Sequence, residues 1–565
     1  MLSTFHALET ARRAMMTQQY ALHTTGHNIA NANTEGYTRQ RVNFVQTESY
    51  PAVGKNSPSV PGNLGTGVKA GSIQRVRESF LDVQYRNETN KVGYWETRQA
   101  ALTKMEDVLN EPSEQGLNRQ IDMFWTSLQD LTVDPEDAGA RSVVRQRSMA
   151  VAETFNFLHD NLSAIRNDYK NEIEVTQREV NAILNQLDSV NDQIRKIEPH
   201  GYLTNDLYDE QDRLLDQLSQ IVNIQVDRVR SGGQANPAAE GAVTVTLIDD
   251  QGRPLLQADG QPFKLVDGTG AEARKQMNIT FDPANFVSGF AFSDQNGVQH
   301  TVGLDSIPRG EMKALIETYG YGTNLNNVTG IYPDMINELN NMAEVFATEV
   351  NNIHSIGFTL ADQNGNVQRG GNLFDLTATQ PGVGAAKAIK LDADIVRSLN
   401  NIAASGVNTN GIVAAQQQNY QSLLNAPRDA AYYDNIRAFL NNGANFTGGS
   451  PTAFAGDGTN AKRLADIKDT TLTFNNDSGT IGTYYQGVIG DMAVSTQEAT
   501  RMLHSSASLQ DSVDYRRKSV SNVSLDEEMT MMIQYQHAYN AAARNITMVD
   551  EMLDRIINGM GVVGR

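Results

Sequence analysis

The two ends of the chain share a seven-residue repeat of apolar side chains. Near the C-terminus, one row consists of Leu525, Met532, Tyr539, Ile546, Leu553 and Met560, and Met529 begins a neighbouring row. Near the N-terminus, the corresponding row is Met1, Leu8, Met15, Leu22 and Ile29. Residues seven apart lie on one face of a helix, and an apolar face has to be buried against another surface. The sequence therefore predicts terminal helices that pair with each other or with copies of themselves in neighbouring subunits.

Apolar rows of this kind also fit the core of a monomer. Two observations favour an assembly surface: the rows lie at the chain ends, and polar residues such as Gln18 and Gln536 interrupt them. A polar residue in such a seam weakens a core but helps to set the register between helices. The predicted assembly interface consists of Leu8, Met15, Leu22, Ile29, Leu525, Met529, Met532, Tyr539, Ile546 and Leu553.

Composition excludes several classes of protein. The formal net charge of −20 argues against a general nucleic-acid binder, because phosphate contacts need clustered Lys and Arg. The absence of cysteine rules out disulfides, thiolate catalysis and Cys-ligated zinc. No apolar run is long enough for a membrane span, and the first thirty residues contain no apolar segment typical of a secretory signal peptide.

The pattern along the chain predicts a multidomain α+β protein. Its discontinuous terminal coiled-coil helices enclose a long helical bundle, into which a small β domain and a mixed, loop-rich domain are inserted. The predicted parts are an N-terminal assembly helix with an extended segment (1–78), the bundle (79–231, 311–357 and 481–515), the β domain (232–310), the mixed domain (358–480) and a C-terminal assembly helix (516–565). Both insertions begin and end at helices, so we expect a nested architecture.

No complete catalytic, cofactor or metal site is predicted. His23 and His27 have the i, i+4 spacing of a zinc pair, but a third ligand and the adjacent Glu are missing. The segment 362–366 begins like a calcium loop but lacks the Gly and the closing Glu, and an Asn-Gly turn is the better interpretation. The segment 65–71 lacks the Gly-Lys-Ser/Thr ending of a phosphate loop. The sequence therefore predicts a non-enzymatic protein without a cofactor.

Both ends resemble the signatures of the bacterial flagellar axial proteins. The segment 28–40 (NIANANTEGYTRQ) is similar to their N-terminal element, and 524–553 to their C-terminal one. The matching signature residues are Asn28, Ile29, Ala30, Asn31, Thr34, Gly36 and Tyr37, while His27 stands where the family more often has Asn. The segments 36–40 (GYTRQ), 116–150, 206–221 (DLYDEQDRLLDQLSQI) and 354–358 (HSIGF) resemble the hook-associated members found at the hook–filament junction.

The resemblance implies an extracellular structural protein that is exported without a cleaved signal peptide. It would form a ring of subunits, with the terminal helices lining the inner tube and often disordered in the isolated monomer. Its implied partners are further copies of the chain, the hook protein, the second junction protein and an export chaperone at the C-terminal helix. Alternatives are the hook protein or another axial protein, a cytosolic coiled-coil scaffold, and an enzyme displayed on a flagellar scaffold.

Overall fold

The computed structural model describes residues 4–51, 54–55, 62, 64–109, 113, 116–257, 260–272, 274–295, 297–360, 367–379, 383–428, 431–475 and 477–559. The possible calcium loop at 362–366, together with Met1 and Met560 of the apolar rows, lies outside these residues. Among the described residues, no helix is both long and apolar enough to cross a membrane.

Helices dominate the fold. In chain order they are α1 Thr4–Ala30, α2 Ser79–Leu109, α3 Leu117–Val133, α4 Ala138–Ile197, α5 Asn205–Ile221, α6 Glu311–Tyr319, α7 Ile331–Ile356, α8 Ala385–Ala388, α9 Ala393–Arg397, α10 Ala414–Leu424, α11 Tyr432–Asn441, α12 Thr459–Ala465, α13 Ile481–Ser521 and α14 Leu525–Gly559. At 1.5 Å per residue, the 60 residues of α4 extend over about 90 Å. This helix begins where the Asp137 carboxylate accepts a hydrogen bond from Ala140 N, and it ends at Pro199 and Gly201.

The strands form small, mostly antiparallel sheets. They are β1 Gln40–Gln46, β2 Val68–Arg75, β3 Ile224–Val229, β4 Ala242–Leu247, β5 Lys264–Val266, β6 Gln276–Asp282, β7 Phe286–Ser293, β8 Gln299–Val302, β9 Tyr321–Gly322, β10 Val328–Thr329, β11 Phe374–Asp375, β12 Lys390–Leu391, β13 Leu472–Phe474 and β14 Asp477–Gly479. β1 pairs with β2, and β3–β4–β5 form a three-stranded sheet. A five-stranded sheet has the order β10–β9–β7–β6, and β8 also pairs with β7. Within this sheet, β7 and β9 pair in parallel. The multidomain α+β prediction is thereby confirmed.

One continuous apolar core joins the bundle to both inserted regions. It extends from Phe124 and Phe346 in the bundle to Phe290 on β7 and Ile436 on α11, all of them fully buried. The three-stranded sheet begins at Ile224, before the predicted start of the β region at 232. The inserted regions therefore cover apolar faces of the bundle, and we call the whole of residues 79–513 the body of the molecule.

Two long helices, α13 and α14, follow one another at the C-terminal end of the chain. α13 packs along α2, and its fully buried positions include Met492, Ala499, Ser506 and Val513, spaced seven residues apart. The buried row of α14 is Glu528, Tyr535, Ala542 and Val549, also spaced by seven. If the seven-residue repeat of α13 continued from Val513, the next buried position in α14 would be 527. The buried row of α14 contains 528 instead, so the repeat shifts by one residue at the link 522–524. The α2–α13 pair and the terminal helices are thus separate packing units.

Candidate functional site: the junction of the two chain termini

The N- and C-terminal helices pack against each other within one chain. The side of α1 that is buried consists mainly of small and polar residues: Ala11, Thr17, Ala21, Thr24, Thr25 and Asn28. These short side chains allow α14 to approach closely with Tyr535, Ala542 and Val549. A small cluster forms where Ala21 and Tyr535 meet Val42 of β1. We call α1, the β1–β2 hairpin and α14 the terminal region.

The predicted interface residues flank this contact. Leu8, Met15, Leu22, Ile29, Met532, Tyr539, Ile546 and Leu553 are partly buried. Leu525 and Met529 are 47 % and 51 % exposed, respectively. The row that α14 buries against α1 is the one through Tyr535, because a bulky side chain there fits the small side chains of α1. The predicted row thus lies at the edge of the intrachain contact, where part of each side chain remains accessible.

Asn28 is the centre of the junction. Its Nδ2 donates to the Gln40 carbonyl at 2.8 Å and to Glu528 Oε2 at 3.0 Å, and its Oδ1 accepts from Gln40 N at 3.0 Å and the Tyr37 hydroxyl at 2.8 Å. An amide side chain has two donor hydrogens and two acceptor lone pairs, so its full hydrogen-bonding capacity is used. The residue is 1 % exposed. One signature residue therefore connects the end of α1, strand β1 and helix α14.

Arg39 makes a second connection between the ends. Its guanidinium lies 2.7 Å from Glu528 Oε1 and 2.7 Å from Glu527 Oε2. Its backbone N–H donates to the carbonyl of Ser521 at 2.9 Å. Ser521 is the last residue of α13. The Glu528 side chain is 2 % exposed, so its charge depends on Arg39 and Asn28 for compensation.

A buried network of Arg and Asp joins the terminal region to the body. Arg75, at the end of β2, is completely buried and contacts Asp209 at 2.8 Å, Asp212 at 2.9 Å and Glu240. Burial alone would raise the pKa of Asp212, but Arg77, Arg75 and two further arginines outweigh it and hold the pKa well below its usual range. Burial raises the pKa of Asp209 despite its contact with Arg75. Thr38 N donates to Asp209 at 3.1 Å, so the signature turn is tied to α5.

Sequence reasoning missed this network. The acidic residues of α5 lie within the segment 206–221 that carried the family resemblance, but their partners Arg75 and Arg86 are separated from them in sequence by more than a hundred residues. A run of acidic residues on a helix is usually solvated. The available signal was that three arginines, Arg75, Arg77 and Arg86, lie close together in a chain with a net negative charge. This grouping does not by itself identify their partners.

The remaining signature residues shape the turn after α1. Asn31 Nδ2 donates to the His27 carbonyl at 3.0 Å, and Thr34 N donates to the Asn31 carbonyl at 2.9 Å. Gly36 has a φ of 80°, which favours a residue without a Cβ. Ile29 is partly buried and Ala30 is exposed. These contacts direct the chain from α1 into β1.

The histidine pair of α1 is not part of a group of three or more candidate metal ligands among the described residues. His27 Nδ1 lies 3.0 Å from the Tyr37 hydroxyl, and His23 is exposed. No group of three or more His, Asp or Glu side chains that could hold a metal ion occurs among the described residues.

Comparison with known proteins gives consistent matches along the chain. Residues 102–374 match the helical domain of flagellar hook-associated protein FlgK. Residues 8–38 match the flagella basal body rod protein family, and 519–559 match the C-terminal domain of the flagellar basal body rod FlgEFG proteins.

Full-length relatives extend these matches. The chain is 39 % identical to flagellar hook-associated protein 1 of Bacillus subtilis (strain 168), over 100 % of both chains. It is 24 % identical to the Salmonella typhimurium protein of the same name, over 97 % of this chain and 98 % of the relative. The solved structure of the flagellar hook junction protein FlgK from Burkholderia pseudomallei shares the fold, with a TM-score of 0.55, 16 % identity, and coverage of 78 % of this chain and 100 % of that one.

The paired termini and the matches at both ends are those of a structural protein of the flagellar axis. The full-length identity is more specific: the chain belongs to the flagellar hook-associated protein 1 family, whose members are components of the hook–filament junction. The predicted family resemblance is thereby confirmed.

Proposed function

We propose that this chain forms a ring of identical subunits at the hook–filament junction, held together through the terminal region. The supporting observation is that the helix pair leaves large apolar side chains in solvent. Phe5, Tyr20, Ile533, Met548 and Ile557 are 65 %, 54 %, 55 %, 57 % and 70 % exposed, respectively. Burying one such side chain against a neighbouring subunit contributes about 1.5–3 kcal/mol.

The terminal region has little core of its own. Its hydrophobic cluster contains only Ala21, Val42 and Tyr535 as fully buried members among the described residues. Long helices with one small contact face are marginally stable in water unless tertiary contacts support them. Contacts between subunits would supply the missing burial, and this argues for assembly as the role of the predicted interface residues.

The proposed partners follow from the matches at the two ends. The hook protein on one side and the second junction protein on the other would contact the ring through similar paired terminal helices, since both ends of this chain match rod-protein families. The protein would be exported to the outside of the cell without a cleaved signal peptide. An export chaperone would cover the exposed apolar residues of α14 before assembly.

The test compares an exposed apolar residue of the terminal region with an exposed apolar residue of the body. Ile533→Asp places a carboxylate on α14, and the control Val133→Asp places one on the body at a residue that is 87 % exposed. Each variant is expressed in a strain lacking the protein, after its secretion has been verified. We expect wild-type melting for both purified proteins, with motility lost and filament protein shed into the medium only for Ile533→Asp. Full motility of this variant would contradict the proposal.

A further inference from the structure

A groove lies on the body, away from the terminal region. Its volume is about 800 Å³, and it runs between α2, α7 and the first part of α13, with the β13–β14 hairpin at one end. The apolar side chains that line it and remain partly accessible include Ile331 and Met335 of α7 and Val488 of α13. Met105 of α2 and Met492 of α13 also line it but are almost completely buried. Methionine side chains are flexible and polarisable, and they are frequent at surfaces that accept apolar side chains of a partner.

The rim of the groove is acidic. Asp334, Glu338, Asp477 and Asp491 line it. Arg98 is the cation among the described lining residues, and it lies 3.4 Å from Glu317, which compensates its charge. The uncompensated charge of the rim is therefore negative, and a ligand of opposite charge is favoured.

Gly487 leaves room for the backbone of a partner in the groove. It lies within α13 and lines the groove. A glycine inside a helix costs about 1 kcal/mol relative to alanine. Packing within the chain does not require it, since a Cβ at Gly487 would have no neighbouring atom within 4 Å. Close approach of another backbone to α13 at this point would account for the missing side chain.

We propose that the groove is a docking site for a basic amphipathic helix of a partner protein. The apolar face of this helix would lie on Ile331, Met335 and Val488. Its Lys or Arg side chains would pair with the acidic rim, and its backbone would cross α13 at Gly487. A second copy of this chain is the weaker candidate because its net charge of −20 would bring like charges to the rim.

The test uses the purified full-length protein and a fluorescent synthetic helix made of Leu and Lys. Gly487→Leu places a branched side chain in the groove, at a position where the added Cβ has no neighbour within 4 Å. Gly490→Leu is the matched control, because a Cβ at Gly490 also has no neighbour within 4 Å and this residue does not line the groove. We expect Gly487→Leu to weaken peptide binding by at least about tenfold and Gly490→Leu to change it less than about twofold. Melting temperatures confirm that both variants fold.

Two further measurements test whether the acidic rim contributes to peptide binding. Asp491→Lys reverses one rim charge and is expected to weaken binding, while a peptide of Leu and Glu is expected not to bind. Equal effects of the two glycine variants, or no effect of either, would overturn the proposal. Light scattering measures whether the wild-type protein self-associates. If it does, and if Gly487→Leu abolishes the self-association, the proposal would also be overturned, because the occupant of the groove would then be a second copy of this chain.

Discussion

The body and the terminal region are both largely helical but are stabilised in different ways. The body contains a continuous core in which Phe346 contacts the rings of Phe124, Trp125, Phe155 and Phe374. The terminal region has a cluster of three fully buried apolar residues and depends on Asn28, Arg39 and Glu528 for its internal contacts. The difference indicates that most of the apolar core lies in the body, whereas the terminal region is held in position by polar contacts and exposes large apolar side chains. In the proposed ring, these side chains would contact other subunits.

The largest expected effect is in the body. Phe346→Ala removes a fully buried ring from the aromatic cluster and is expected to lower the free energy of unfolding by about 3–5 kcal/mol. Tyr535→Ala is the matched substitution in the terminal region, and it should leave the main melting transition unchanged. Urea denaturation of both variants measures this contrast. A similar loss in the two variants would show that the regions unfold together.

Asn28 tests the polar contacts of the terminal region. Asn28→Asp replaces the amide that donates to Glu528 with a second carboxylate, and we expect a local loss of about 2–3 kcal/mol. Proteolysis of α1 and α14 should accelerate while the body remains intact. Glu528→Gln should partly restore protection in the double variant, since Gln can donate to Asp. Asn31→Asp, on the same turn, serves as the control, and an equal effect there would contradict the assigned role of Asn28.

His354 tests how the body depends on pH. Its ring is fully buried, with Nδ1 2.7 Å from the Gly371 carbonyl and Nε2 accepting from Ala403 N at 2.9 Å. Burial lowers the pKa of His354 to about 4 from 6.5. The folded state therefore binds this proton more weakly, so stability is present above pH 6.5 and lost as the pH falls towards 4. Between pH 7 and 5 we expect a loss of about 2 kcal/mol from this residue.

The control for this pH dependence is His354→Gln, which removes the titrating ring. Its unfolding free energy should be lower at pH 7 and should decrease less between pH 7 and 5. An unchanged pH slope in this variant would assign the acid sensitivity to another group.

Local sequence patterns predicted where the helices lie better than they predicted which surfaces pack against them. Rows spaced by seven residues indicated both terminal helices, but α14 has several apolar rows, and only the small side chains of α1 select the row through Tyr535. The contact between Arg39 and Glu528 spans 489 residues, and no local pattern reports it. The Gly- and Asn-rich composition of 358–480 indicated a separate domain, yet Ile402 and Ile436 belong to the shared core. Composition alone does not report long-range packing of this kind.

Native-state hydrogen exchange on the purified monomer tests the central claim most directly. The amides of α1 and α14 can then be compared with those of α4 and α7 in one experiment. We predict that the terminal helices exchange by local opening, much faster than the body, and that their protection increases when subunits assemble. Equal protection of the two regions in the monomer, with exchange only by global unfolding, would contradict the account.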